Sequence, residues 1–203
     1  ENFANYRARP KAVRWPGPGG SDAWAALDRL ERLARAHNMR LVVFTYPYHA
    51  DLLVGLDRAG LSPALADFRL ALAQWAQVRG VEAWDFARLN GVTTVEPPPP
   101  GDRRTLLADY WEAGHFRAPV GDRIVTAILS GQAEPGLGER LTPAAALRTN
   151  AGWAAGLAAH LRAQPATARR LDRLYGPVNN PAAPAERPGM AAPPRAGGAI
   201  PQS

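Results

Sequence analysis

The sequence predicts an α/β fold in which short parallel strands alternate with helices. Two short apolar runs, at 39–46 and 81–86, are rich in the β-branched and aromatic residues of buried strands. Segments with helical spacing of apolar residues precede, separate and follow them, at about 21–36, 63–79 and 119–129. This order is typical of parallel strands joined by right-handed helical crossovers.

Capping residues give the expected helix ends. Ser21 is an N-cap candidate for the first helix, and Ser62-Pro63 is typical of the start of the second long one. A short helix is expected between the strands, at about 50–59. Glycines are expected to end three of the helices: Gly60, Gly80 and Gly131.

Two strands are too few for a stable sheet, so we expect two or three further strands in an N-terminal region that precedes Glu1. Residues 1–20, rich in Pro and Gly towards their end, are predicted to be an irregular lead-in, and 21–132 the C-terminal part of the α/β domain. Residues 133–176 are predicted to be a helical extension, and 177–203, with seven prolines and seven alanines, a disordered tail.

Further expectations concern residues 87–117 and the helices of the C-terminal extension. Residues 87–109, which include four consecutive prolines, are predicted to be largely loop. The segment 110–117 is predicted to be a loop that leads into the last helix of the domain. Within the extension we expect separate helices at 142–147 and 151–162, the second capped by Asn150, and a third helix at about 165–175.

Composition excludes several classes of function. The chain has no cysteine, which excludes disulfides and thiolate catalysis, and no apolar run long enough to cross a bilayer. Its net charge is +6, but the surplus is concentrated after residue 132 and consists of arginine. Because no basic-aromatic motif accompanies this charge, we do not expect nucleic-acid binding.

The candidate chemistry lies where strands end. In open α/β sheets, ligands bind at the carboxyl ends of the strands, which here means 46–50 and Asp85. A third candidate segment is 110–117, where Glu112 and His115 are three residues apart. This spacing allows the carboxylate to accept a hydrogen bond from imidazole Nδ1–H and leaves Nε2 free, as a general base requires.

These segments in this order resemble the last part of the SGNH (GDSL) hydrolases. The corresponding pieces are LVVFTYP at 41–47, the crossover helix near 63–79, VEAWDF at 81–86 and the helix at 118–129 that follows Glu112-Ala-Gly-His115. The resemblance covers about residues 20–130. Within the family, the chain looks similar to uncharacterised, membrane-anchored bacterial members. It implies a partial three-layer α/β/α domain with a parallel, flavodoxin-like sheet.

The resemblance also implies a serine esterase or O-acyltransferase acting on acyl esters of envelope glycans or related substrates. His115 would be the base and Glu112 would orient it, with Asp109 as the alternative orienting carboxylate. No cofactor is implied, and the location would be periplasmic or anchored to the inner membrane. The alternative is a non-catalytic binding or scaffolding module of the same fold.

The chain departs from the family pattern in two ways. Glutamate stands at 112 where the family usually has aspartate, and the nucleophile, glycine and asparagine blocks are absent. Ser21 belongs to a Gly-Ser-Asp triplet, but it follows a Pro/Gly loop and is better interpreted as a helix cap. We therefore expect the chain to be inactive without a completing N-terminal region.

The other candidate residues have competing interpretations. His49, Tyr48 and Trp111 are candidates for substrate binding, although a structural role at the strand end is favoured for His49. His37 and His160 are expected to be solvated on helices. A metal site built from His49, Glu112 and His115 is disfavoured.

Overall fold

A computed structural model describes residues 22–99, 101–102 and 104–175 of the chain. The predictions of an irregular lead-in at 1–20, of a cap at Ser21 and of a disordered tail at 177–203 lie outside these residues.

Helices and strands alternate through the first two thirds of the described chain, so the α/β class is confirmed. The helices are α1 Asp22–Ala36, α2 Ala50–Arg58, α3 Ser62–Arg79, α4 Ala118–Ser130, α5 Pro143–Ala163 and α6 Pro165–Tyr175. The strands are β1 Val42–Thr45, β2 Glu82–Asp85, β3 Tyr110–Glu112, β4 His115–Phe116 and β5 Glu139–Arg140. Gly80 and Gly131 follow α3 and α4 in the left-handed conformation, as expected of helix stops.

The main sheet is mixed, with the order β1-β2-β5. β1 and β2 are parallel as predicted, in the register Val42↔Glu82 to Thr45↔Asp85. β5 then pairs antiparallel with β2, so the expectation of a wholly parallel sheet is wrong for the described strands. The sequence of β5 is Glu-Arg, without the apolar pattern by which β1 and β2 were recognised.

The segment 110–117 is a β-hairpin of β3 and β4, and the prediction of a loop there is wrong. The two predicted helices at 142–147 and 151–162 are one continuous helix, α5, whose N-cap is Thr142. Asn150 does not cap a helix. Its side chain bonds laterally to α3, donating to Ala66 O and accepting from Arg69.

Apolar side chains pack on both faces of the sheet. On one face, α1, α3 and α5 contribute Trp24, Trp75 and Ala146 to a cluster that also contacts Val43 of β1. On the other face, Val120 and Ile124 of α4 pack with Trp84 of β2 and with Phe86. Residues after 132 also contribute to the core, because Leu137 and Leu141 are buried in these two clusters. A third cluster joins α2, α5 and α6 around Leu53, Trp153 and Leu171.

Candidate functional site

The β3–β4 hairpin is fixed to the carboxyl end of β1. The buried Tyr110 hydroxyl donates to Pro47 O over 2.6 Å, and the Phe116 ring stacks on Tyr46 with 4.7 Å between centroids. Burial raises the pKa of Tyr110, and nearby Asp109 adds to this effect, so the phenol stays protonated and able to donate.

A backbone hydrogen bond adds a further attachment, from His49 N to Ala113 O over 3.0 Å. Ala113 lies in the turn between β3 and β4, next to the candidate catalytic pair. The rim of the sheet at 46–49 and the turn that carries Glu112 and His115 are therefore in direct contact. The structure thus brings together two of the three segments that the sequence predicts to carry the chemistry, 46–50 and 110–117.

Glu112 and His115 form a hydrogen-bonded pair across the hairpin. Glu112 Oε1 contacts His115 Nδ1, and Glu112 Oε2 accepts from Gly114 N over 2.7 Å. Partial burial alone would raise the pKa of Glu112, but the Gly114 N–H and the His115 ring hold it below its ordinary value. The carboxylate therefore stays ionised, and it can fix the tautomer in which Nδ1 carries the proton.

The pair is open to solvent, with 76% of the His115 side chain and 58% of the Glu112 side chain exposed. Nε2 of His115 has no hydrogen-bond partner in the described part of the chain, so it is the nitrogen that could exchange a proton with a substrate. Asp109, the alternative orienting residue, is not the partner of His115, because Glu112 holds that position.

The candidate substrate-binding aromatic residues lie near this pair. Trp111 is 66% exposed, and the Arg117 guanidinium lies 4.4 Å from its ring centroid. Tyr48 is half-buried, and its ring centroid is 5.0 Å from that of Tyr46. Their role in substrate binding stays a prediction.

His49 is buried, and both of its ring nitrogens have partners. Nδ1 accepts from Asp51 N over 3.1 Å as the N-cap of α2, and Nε2 lies 2.8 Å from Val95 O. This arrangement favours the structural role, since neither nitrogen is left for a substrate or a metal ion. Among residues 22–99, 101–102 and 104–175, no group of three or more His, Asp or Glu side chains could hold a metal ion.

Asp85, expected at the ligand-binding edge, is instead a buried structural residue. Its Oδ2 accepts from Arg69 Nε over 2.9 Å, and both side chains are only 1% exposed. Thr45 Oγ1 donates to Asp85 Oδ1 over 2.5 Å, which ties the ends of β1 and β2 together. Sequence reasoning missed Arg69, because an arginine on an amphipathic helix is usually solvated.

The expectation that His37 and His160 are both solvated holds for His37 alone. His160 is partly buried, and its Nε2 is buried without a hydrogen-bond partner among the residues that the structure describes. Burial lowers the pKa of His160; nearby Asp51 opposes this shift and His49 adds to it.

The described serines are engaged away from the pair. Ser62 donates to Asp57 Oδ1 over 2.6 Å at the start of α3, and Ser130 bonds to the backbone at the end of α4.

The comparison of the chain with protein-family models, with curated proteins and with solved structures found no significant match. None of the helices in the described residues is long and apolar enough to span a membrane.

Proposed function

We propose that this chain carries the acid–histidine part of a serine esterase or O-acyltransferase of the SGNH type, acting on acyl esters. The finer fold proposed with it is a partial three-layer, flavodoxin-like domain. The observation that supports the proposal is the Glu112–His115 pair, held at the carboxyl end of β1 by the anchored hairpin.

In this proposal His115 Nε2 takes a proton from a serine hydroxyl while the oxygen attacks the ester carbonyl. The same nitrogen then returns the proton to the leaving alcohol, and water or an acceptor alcohol releases the acyl group in a second cycle. Glu112 stabilises the imidazolium form between these transfers. In this proposal the serine and the oxyanion donors lie outside the described residues, and the described residues supply the acid–base half of the site.

The chain is expected to lack serine-dependent turnover, but its histidine can be tested directly, because an imidazole can itself act as a nucleophile towards an activated ester. We expect His115→Ala to remove most of the p-nitrophenol that the chain releases from p-nitrophenyl acetate. Glu112→Gln keeps the ring but weakens its orientation, so it should lower the rate less. His37→Ala is the matched control, since His37 is an exposed histidine without a carboxylate partner in the described residues. Equal rates in wild type and His115→Ala would end the catalytic assignment.

The second candidate is a non-catalytic module of the same fold that binds or scaffolds. It is favoured by the exposure of His115 and by the engagement of the described serines elsewhere. An unchanged rate in His115→Ala, together with an intact hairpin in its NMR spectrum, would select this alternative.

A further inference from the structure

Arg117 differs from the other buried and half-buried arginines of the described residues, because it has no carboxylate partner among them. Seven arginines of the described residues are buried or half-buried. Six of these form ion pairs with an Asp or Glu side chain: Arg58, Arg69, Arg79, Arg88, Arg123 and Arg170. The described residues leave the charge of Arg117 uncompensated, and Arg117 lies two residues beyond His115.

Two contacts hold the Arg117 guanidinium in place. Nη1 donates to Leu107 O over 2.8 Å, and the guanidinium carbon lies 4.4 Å from the centroid of the Trp111 ring. Nε and Nη2 make no hydrogen bond within the described residues, and neither nitrogen is enclosed. This edge of a guanidinium carries two parallel N–H groups, which can donate to both oxygens of a carboxylate or of a phosphate. Arg117 therefore presents a fixed and open edge that suits an anionic oxygen group.

The open edge lies on the same side of the hairpin as His115. His115, Phe116 and Arg117 follow one another in extended backbone, and Phe116 stacks on the Tyr46 ring. Side chains alternate along extended backbone, so those of His115 and Arg117 both point away from Tyr46, from Cα atoms about 6–7 Å apart. One small molecule can thus contact His115 Nε2 and the Arg117 edge together.

From this arrangement we propose that Arg117 binds an anionic group of the substrate, so that the site takes acyl esters that carry a carboxylate or a phosphate. The proposal rests on the proposed function, since it names the class of ester for the same site. A charge-assisted hydrogen bond to Arg117 orients an anionic ester at His115, and a neutral ester lacks this contact.

Asp109 opposes this attraction. Its backbone carbonyl accepts from Arg117 N over 2.8 Å, so the two residues are neighbours, but its carboxylate forms no ion pair with Arg117. A negative charge at that distance repels an anion that approaches the guanidinium. Replacing Asp109 by a neutral residue should therefore strengthen anion binding.

Two activated esters that differ by one charge test the proposal: 4-acetoxy-3-nitrobenzoate and its neutral methyl ester. The measurement is the ratio of the two rates of nitrophenol release, anionic over neutral. The intrinsic reactivities of the esters cancel when this ratio is compared between variants. We expect Arg117→Met to lower the ratio about threefold or more. Arg32→Met is the matched control, since Arg32 is an exposed arginine of α1 without an ion pair in the described residues, and it should leave the ratio unchanged.

Two further variants separate charge from geometry. Arg117→Lys keeps the charge but not the paired donors, so it should lower the ratio less than Arg117→Met does. It also serves as the test if loss of the contact with Leu107 O prevents Arg117→Met from folding. Asp109→Asn should raise the ratio, because it removes the opposing charge.

A binding measurement does not need His115 to react. The stable analogue 4-methoxy-3-nitrobenzoate is titrated into nitrogen-15-labelled chain while NMR follows the indole N–H of Trp111. We expect a saturable shift whose dissociation constant rises about threefold or more in Arg117→Met and falls in Asp109→Asn. If His115→Ala leaves the ester rates unchanged, the proposed function fails, and this titration alone decides whether Arg117 binds the anion.

Two results would overturn the proposal. One is a rate ratio and a dissociation constant that Arg117→Met, or Arg117→Lys in its place, changes no more than Arg32→Met does. The other is equal affinity for the analogue and for its methyl ester, which would show that Trp111 binds the aromatic ring without any contribution from the charge.

Discussion

The ion pair between Arg69 and Asp85 offers the sharpest test of how this fold is held together. Arg69 lies on α3, and its guanidinium donates hydrogen bonds to three different segments of the chain. Nε donates to Asp85 over 2.9 Å, Nη1 to Asn150 of α5 over 2.6 Å, and Nη2 to Ala87 O over 3.1 Å. One side chain thus joins two helices to the end of β2.

Arg69→Met should be strongly destabilising, because it keeps the aliphatic stem and removes the charge. Asp85, which is only 1% exposed, would lose its cationic partner and keep Thr45 Oγ1 and Ala87 N as its remaining donors. Leaving one partner of a buried pair uncompensated costs about 3–5 kcal/mol. For a chain of this size that corresponds to a fall in Tm of roughly 6–20 °C.

Urea unfolding followed by circular dichroism measures this cost. Arg123→Met is the matched control, since its partner Glu134 and Arg123 itself are about 40% exposed, and such pairs contribute about 0–1 kcal/mol. The double variant Arg69→Met/Asp85→Asn should recover part of the loss, because it removes the buried charge. A cost for Arg69→Met within about 0.5 kcal/mol of that for Arg123→Met would refute the reasoning.

Three further predictions concern single positions. Gly138→Ala should lower the free energy of unfolding by about 1–3 kcal/mol in a urea titration, because the added Cβ would lie 2.8 Å from Asp85 O and 2.7 Å from Phe86 Cε1. Gly91→Ala is the control and should be neutral, since an added Cβ there meets no atom within 4 Å. Tyr110→Phe should cost about 1 kcal/mol by leaving the buried Pro47 O without its donor, and NMR shifts should report movement of the hairpin. The pKa of His160 is lowered by burial in the folded state, so its contribution to stability is full above pH 6.5 and is lost as the pH falls below that value. His160→Asn should therefore lessen the fall in urea midpoint between pH 8 and pH 5.5, and an unchanged fall would contradict this.

The sequence predicted the elements whose signal is local. β1, β2 and the helices α1, α2, α3 and α4 were all expected, because each carries its own apolar pattern. The cap expected at Ser62 was wrong, since Leu61 is the N-cap of α3. The contact between Glu112 and His115 was also expected from their spacing, and it is present. The catalytic role of that contact stays a prediction.

The features that the sequence did not predict are those set by distant partners. β5 is a two-residue strand of charged side chains, and it pairs because Gly138 lets its backbone approach β2. Arg69 looks solvated in a helical pattern and is buried only because Asp85 and Asn150 converge on it from β2 and α5. No window of sequence around Arg69 contains that information.

Contacts between distant segments also decide how the candidate site is positioned. Three contacts to the end of β1 fix the hairpin, through the Tyr110 hydroxyl, the Phe116 ring and Ala113 O. The position of His115 is therefore set by the sheet, while the chemistry depends on which groups approach Nε2. A variant such as Tyr110→Phe separates these two requirements, because it loosens the support of the hairpin and removes no atom of the Glu112–His115 pair. If the pair acts as a base, its reactivity with p-nitrophenyl acetate should fall in Tyr110→Phe. If His115 reacts as an ordinary surface histidine, the rate should stay that of the wild type.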